Sequence, residues 1–161
     1  MKELKCYVII ISEKFPSNHS QKGTPTGFEQ KSKDLVKIHT VRSNYELWSK
    51  RFEKVHKGEA YLSIRKWSGL PYRSKQIELF RLYDKGGIGI EKLELTEQGF
   101  MSIGNNIVDV ATLASNDGLS KSDFIEWFKD FEIGDTKAII HFTNFRYLYP
   151  NGKLNYGVKQ I

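Results

Sequence analysis

Residues 60–95 read AYLSIRKWSGLPYRSKQIELFRLYDKGGIGIEKLEL. Ala60 to Trp67 alternates apolar and polar side chains, the two-residue period of a half-buried strand. Ser68-Gly69-Leu70-Pro71 is turn chemistry, and Lys75 to Tyr83 reads as the returning strand. Gly86-Gly87 makes another turn before a third strand, Ile88 to Leu95. Strands divided by such short turns predict antiparallel pairing rather than alternating strand–helix–strand units.

Toward the N-terminus, Lys5 to Ser12 (KCYVIIIS) is a β-branched run that suits a buried first strand, with no small-residue cleavage site of a leader after it. A loop follows, from Phe15-Pro16 to Gly23-Thr24-Pro25-Thr26-Gly27, then a short helix over Phe28 to Asp34 with Thr26 as a cap. Lys37 to Arg42 (KIHTVR) reads as a short extended segment. Asn44 caps a helix from Tyr45 to Lys57, on which Leu47, Trp48, Phe52 and Val55 fall near helical spacing, and Gly58 stops it. Toward the C-terminus, a helix is predicted over Asn105 to Ser115 and another over Lys121 to Phe131, the latter capped by Ser120 with Asp123 three positions on. Thr136 to Thr143 is a strand, and the tail from Tyr147 to Ile161 suggests a terminal hairpin around Pro150-Asn151-Gly152. The class expected is α+β, a small mixed or antiparallel β-barrel with flanking helices.

Composition narrows the possibilities. At 161 residues the chain suits one domain, with 1–33 as an N-terminal strand, loop and short helix, 34–145 as the core and 146–161 as a tail. The formal charge is +6, and it is concentrated: residues 31–81 hold 13 Lys and Arg against 5 Asp and Glu. A basic middle third suits an anionic partner, nucleic acid above all, although a basic soluble surface has the same composition. There are 21 aromatic rings, more than a core of this size needs, so some belong to a surface or pocket. One cysteine, Cys6, rules out an internal disulfide and a multi-thiolate zinc site, and its apolar run predicts a buried thiol in a reducing, cytoplasmic compartment. No apolar run approaches the length of a membrane span. The histidines, His19, His39, His56 and His141, lack ligand spacing, so no metal and no cofactor is expected. Phosphate-binding glycine loops and dinucleotide fingerprints are missing.

Three stretches have chemistry in them. Lys37, His39, Thr40 and Arg42 crowd one short segment. A strict strand puts Lys37 and Thr40 on opposite faces, whereas a turn brings them together. In that case a desolvated lysine serves as base toward the threonine hydroxyl. The plain alternative is a surface strand with solvated charges. Asn116-Asp117-Gly118 offers a carboxylate ahead of a capped helix, or simply an Asp-Gly turn. Arg65, Trp67, Tyr72, Arg73 and Lys75 surround a hairpin tip, a mixture in which rings stack on bases and cations meet phosphates. Its plain reading is a hairpin whose Trp67 packs on the body of the fold.

The Lys37, Thr40 and Arg42 spacing resembles the ASCH signature Gly-x-Lys-x-x-Thr-x-Arg, with Leu35 where the signature has glycine. Residues Ala114 to Phe124 resemble the late acidic element of that family, with Asp117 where a glutamate is usual, and Ile139 to Phe142 resembles its closing strand. The N-terminal stretch and the Trp67 to Lys75 segment are similar to ASCH-like proteins of bacteria and their phages. The resemblance implies a PUA-like barrel with a cleft between barrel and helices, holding RNA or a modified nucleotide. One branch of the family removes the acetyl group of N(4)-acetylcytidine. Carried over, the catalytic roles there fall to Lys37 as base, Thr40 as nucleophile and Asp117 as the acid that holds lysine or substrate. Arg42 would fix the pocket or a phosphate. His39 is a further ligand-binding candidate because it lies inside the same charged segment. Two function classes therefore stand, a binding module for RNA or a nucleoside and an amidohydrolase, with a protein-interaction domain using its exposed aromatics as a third. Sequence leaves the oligomeric state open.

Overall fold

The computed structural model describes residues 2–155. Eight strands and four helices follow the order β1 (Lys5–Ile10), α1 (Phe28–Lys33), β2 (His39–Ser43), α2 (Tyr45–His56), β3 (Ala60–Trp67), β4 (Gln76–Leu82), β5 (Gly89–Leu95), β6 (Met101–Ile103), β7 (Asn106–Ile107), α3 (Val110–Asn116), α4 (Lys121–Trp127) and β8 (Thr136–His141). The class is α+β. The strands make two sheets, a three-stranded one ordered β1-β3-β4 and a five-stranded one ordered β2-β8-β5-β6-β7. No closed cylinder joins them among the described residues.

The strands of residues 60–95 divide between these sheets. β3 and β4 form the expected antiparallel hairpin, Trp67 opposite Gln76, with a register irregularity between Ile64 and Arg65. The second turn makes no hairpin. A 3₁₀ turn at Asp84–Gly86 carries the chain across to the other sheet, where β5 pairs with β8 and β6. β1 lies parallel to β3, Lys5 beside Ala60, and the connection between them carries α1, β2 and α2. β8 lies between β2 and β5, buried along Ala138-Ile139-Ile140-His141, and its apolar run is what a strand covered on both faces requires. α2 packs Trp48, Phe52 and Val55 against β3, β5 and β8, and so fills the space between the sheets.

Several boundaries differ from expectation for local reasons. The helix predicted over Asn105 to Ser115 begins at Val110. Gly104 and Asn105, at φ of 55° and 66°, instead turn a tight hairpin between β6 and β7, and Asp109 caps α3 by accepting from the Thr112 amide. Left-handed geometry at both central positions is what a two-residue hairpin turn demands. α4 ends at Trp127, four residues before the expected Phe131, although Ser120 caps it as predicted. Gly27, not Thr26, occupies the cap position of α1, while the Thr26 hydroxyl accepts from the Phe28 amide and donates to the Ser12 carbonyl. Cys6 is half-buried rather than buried, and Arg65 points a guanidinium nitrogen at its sulfur. In the tail, Leu148 and Leu154 form an antiparallel bridge, and residues 156–161 of the expected hairpin lie outside the described residues. No described helix is long and apolar enough to cross a membrane.

Candidate functional site

Two helix ends build the site. α1 closes in a double backbone turn: the Val36 amide donates to the Lys31 carbonyl and the Leu35 amide to the Ser32 carbonyl. Leu35 is the left-handed residue of that turn, at φ 57°. The position is one where backbone geometry favours glycine, and leucine meets it here at a conformational cost. The turn delivers Lys37, whose amide also donates to the Lys31 carbonyl. α3 closes in the same way, with Leu119 donating to Ala114 and Gly118 to Ser115, and Gly118 left-handed at φ 81°. This second turn delivers Asp117. The Ile38 amide donates to the Asn116 carbonyl and so ties the two ends together.

Lys37 and Asp117 meet inside the molecule. Lys37 Nζ lies 3.0 Å from Asp117 Oδ1 and donates to the Asp117 carbonyl at 2.8 Å. The lysine is 1% exposed and the aspartate 3%. Burial pushes the Lys37 amine down from the usual lysine range, and Asp117 pulls it partly back. Burial alone would raise the Asp117 carboxyl, but Lys37 and His39 outweigh it and hold it below the usual carboxylate range. The Lys37 ammonium also sits over the Phe28 ring, 4.1 Å from its centre.

Thr40 and Arg42 line the same small cavity as Lys37 and Asp117, with Phe28, Trp127 and Phe128 as aromatic walls. The Thr40 hydroxyl accepts from Arg42 Nη1 at 2.7 Å. Arg42 also donates to the Val41 and Ile10 carbonyls, which fastens β2 to β1. No hydrogen bond joins Lys37 to Thr40 among the described residues. The two share a cavity because Lys37 precedes the strand and escapes its alternation. The cavity holds about 20 Å³, room for one water or a group of similar size. A larger hollow of about 400 Å³, lined by Lys31, Val36 and Leu119 among others, lies beyond the Asp117-Gly118 turn, where Lys31 Nζ donates to the Gly118 carbonyl. Lys37 and Arg42 thus share the cavity with one carboxylate, and Lys31 adds a further positive charge from the larger hollow.

His39 lies beneath this floor rather than on the cavity wall. It is fully buried, with Nδ1 3.4 Å from Asp117 Oδ1 and Nε2 2.7 Å from the Tyr147 hydroxyl. Burial holds its pKa below the usual imidazole range despite Asp117, so the ring is neutral at pH 7. His141, on β8, donates its Nε2–H to the Glu91 carboxylate at 2.8 Å, and burial lowers its pKa to about 4. Glu91 also accepts the Tyr147 and Leu148 amides and so clamps the C-terminal segment against β5.

The remaining candidates stand apart. Arg65 is tied to Ser63 and Gln76 on the three-stranded sheet. Trp67 and Tyr72 pack ring against ring at 5.2 Å across the hairpin, and Tyr72 is 88% exposed. Arg73 and Lys75 are largely solvent-facing. The link to the cavity runs through Lys66, which bridges Glu13 and Glu29, the latter next to the wall residue Phe28.

One set of side chains invites a metal: ligand atoms of His19, Asp123 and Glu126 all lie within 4.8 Å of one another. The Gln21 amide donates to His19 Nδ1, so the ring proton sits on Nε2, the nitrogen that faces both carboxylates. Such a ring serves as a donor to the acids, not as a metal ligand. Ser20 and Gln21 occupy the same carboxylates from the loop.

No protein-family model, curated protein or solved structure matches this chain. The site must be read from its own chemistry. Sequence reasoning missed Phe28, Trp127 and Phe128 as walls and Tyr147 as the support beneath.

Proposed function

We propose that the chain is an ASCH-type, PUA-like module whose cavity receives the substituent of a modified base, in RNA or in a nucleoside derived from it. The observation that carries this reading is the buried Lys37–Asp117 pair at the end of an aromatic-walled cavity. A cavity of about 20 Å³ is too small for a base but admits a small polar group. The base itself would lie at the mouth, where Trp127 and Phe128 offer ring faces, and a stacked base contributes roughly 1–3 kcal/mol. Lys31 and Arg42 add positive potential for a carbonyl oxygen or a phosphate. The Trp67–Lys75 hairpin, with its exposed ring and cations, supplies a second surface for neighbouring nucleotides. The small barrel expected of such a module belongs to the proposal too, supported by the bond from Arg42 to the Ile10 carbonyl that links the two sheets.

A second reading is favoured by Thr40, whose hydroxyl shares the cavity with Lys37 and accepts from Arg42. In an amidohydrolase, the fraction of Lys37 that burial leaves unprotonated takes the Thr40 proton as Oγ1 attacks the acetyl carbonyl of N(4)-acetylcytidine. The carbon–nitrogen bond breaks, the lysine returns the proton to the departing amine, and water then releases acetate from the threonine ester.

The test uses N(4)-acetylcytidine and a single-stranded RNA that carries it. The expected result is RNA binding that weakens linearly on a log–log salt plot and is reduced by Arg73→Ala with Lys75→Ala. The nucleoside should compete for the Trp127 site. Acetate release abolished by both Lys37→Ala and Thr40→Ala would select the amidohydrolase. Neither binding nor release at low salt would sink both readings.

A further inference from the structure

On the side of Asp117 away from the cavity, side chains form a polar chain shut off from solvent. Asn116 Nδ2 donates to the Tyr147 hydroxyl oxygen at 3.1 Å. That oxygen lies 2.7 Å from His39 Nε2, and His39 Nδ1 lies 3.4 Å from Asp117 Oδ1. Exposure along the chain is 5% for Asn116, 3% for Asp117 and zero for Tyr147 and His39. A chain so enclosed must satisfy its own protons.

Counting those protons assigns a direction. Asn116 can only donate through its amide nitrogen, so one lone pair of the Tyr147 oxygen is taken. The Tyr147 proton then has one acceptor in reach, His39 Nε2. A ring that accepts at Nε2 carries its proton on Nδ1, which faces the Asp117 carboxylate. Reversing the ring would set two donors against the Tyr147 oxygen and leave its proton without an acceptor. It would also turn a nitrogen lone pair toward an anion, in a region where unpaired polar groups are costly. His39 Nδ1 makes no hydrogen bond of normal geometry among the described residues, and the Asp117 carboxylate at 3.4 Å is the charged group it faces.

We propose that Tyr147 is a positioning residue of the pocket: by donating to His39 Nε2 it fixes the Nδ1–H tautomer, which aims an N–H at Asp117 and keeps that carboxylate ionised and turned toward Lys37. The groups facing His39 agree with a neutral ring. Asp117 and Lys37 approach it from the two turns. Glu91 on β5 is already engaged by His141 and by the amides of Tyr147 and Leu148. His141 meets His39 edge-on at 5.5 Å between ring centres, and with its own pKa lowered to about 4 it adds no charge at neutral pH. Tyr147 stays protonated, since burial pushes its hydroxyl well above the usual tyrosine range. The C-terminal segment thereby becomes part of the site, held in place by Glu91.

The importance of this device rests on Asp117 being the acid of the cavity, as in the function proposed above, but its test needs no ligand. In the full chain at neutral pH, long-range nitrogen–proton NMR spectra of ¹⁵N-histidine should show His39 with a protonated Nδ1 and a bare Nε2. In Tyr147→Phe the tautomer should become mixed or reversed. The Asp117 carboxyl carbon should then titrate higher than in the wild type, because the ring N–H that favours the carboxylate no longer faces it. A His39 protonated on Nε2 in the wild type overturns the proposal, and that spectrum decides even if the variant fails to fold. An unchanged tautomer and titration in a folded Tyr147→Phe also overturns it. Failure to bind N(4)-acetylcytidine or RNA, with the tautomer as stated, would remove the function and leave the positioning role intact.

Discussion

The turns that deliver Lys37 and Asp117 share one backbone pattern and differ in one residue. At the end of α3 the left-handed position is Gly118; at the end of α1 it is Leu35. Gly118 has two reasons to be glycine. Its φ is 81°, and a Cβ there would stand 3.1 Å from the Lys37 Cβ and 3.4 Å from the Lys31 Cδ. Leu35 is half-buried against the core, so its side chain returns in packing some of what its backbone loses. Crowding opposes a side chain at Gly118, and packing rewards one at Leu35.

The largest expected effect comes from cutting the ion pair that joins the turns. Lys37→Met leaves an anion buried against His39, and Asp117→Leu leaves a cation buried over Phe28. Each should lower the unfolding free energy by about 3–5 kcal/mol, the usual cost of orphaning a buried charge. The double variant should be more stable than either single one, because apolar pairs of similar volume replace buried ion pairs at little net cost. Urea midpoints at constant slope would measure this. Single losses below the level of a surface pair would mean that water reaches the site and that the two turns are not coupled.

Acid provides the next test. His39 and His141 have folded pKa values below that of the free side chain, so between those values the unfolded chain binds more protons than the folded one. Stability should therefore fall as pH drops below about 6.5. With His141 lowered to about 4, its share amounts to roughly 3 kcal/mol over that window. Asp117, also depressed, adds a further loss below about pH 4. A flat stability profile between pH 7 and 5 would show that the histidines under the cavity are hydrated.

Gly118→Ala ranks third, at about 2–3 kcal/mol, from a left-handed side chain combined with overpacking against Lys37. Gly58 is the control. It ends α2 at φ 71° with nothing within 4 Å of a Cβ, so Gly58→Ala should cost only the backbone share, about 1 kcal/mol. Equal losses at the two positions, read from thermal midpoints, would remove the crowding argument. An excess at Gly118 would also appear as weakened ligand binding, since the displaced group is Lys37.

Sequence made a good part of this legible. The caps at Asn44 and Ser120, the β3–β4 hairpin and the buried run of β8 follow from local chemistry that tertiary contacts do not override. Lys37, Thr40, Arg42 and Asp117 were visible as a resemblance, and the cavity brings them together. What stayed hidden depends on long-range placement. Nothing around Gly86-Gly87 tells β5 to pair with β8 rather than β4. Nothing around Tyr147 says that its hydroxyl ends beneath a histidine more than a hundred residues away in sequence. The basic middle third also overstated its free charge, since Lys66 and Arg81 are held by Glu13, Glu29 and Glu78.

The smallest effect discriminates best. At Leu35, replacement by glycine removes a left-handed strain of about 1–2 kcal/mol but also removes apolar packing and loosens the unfolded chain. These opposing terms leave a net change within about 1 kcal/mol, so Leu35→Gly should fold and keep its Lys37–Asp117 pair. Leu35→Val keeps more apolar surface than glycine, yet a β-branched residue is a genuine outlier at positive φ. Valine should therefore be the less stable of the two. The opposite order would mean that packing, not backbone geometry, governs this turn, and that the glycine of the signature answers some demand other than the left-handed bend before the lysine.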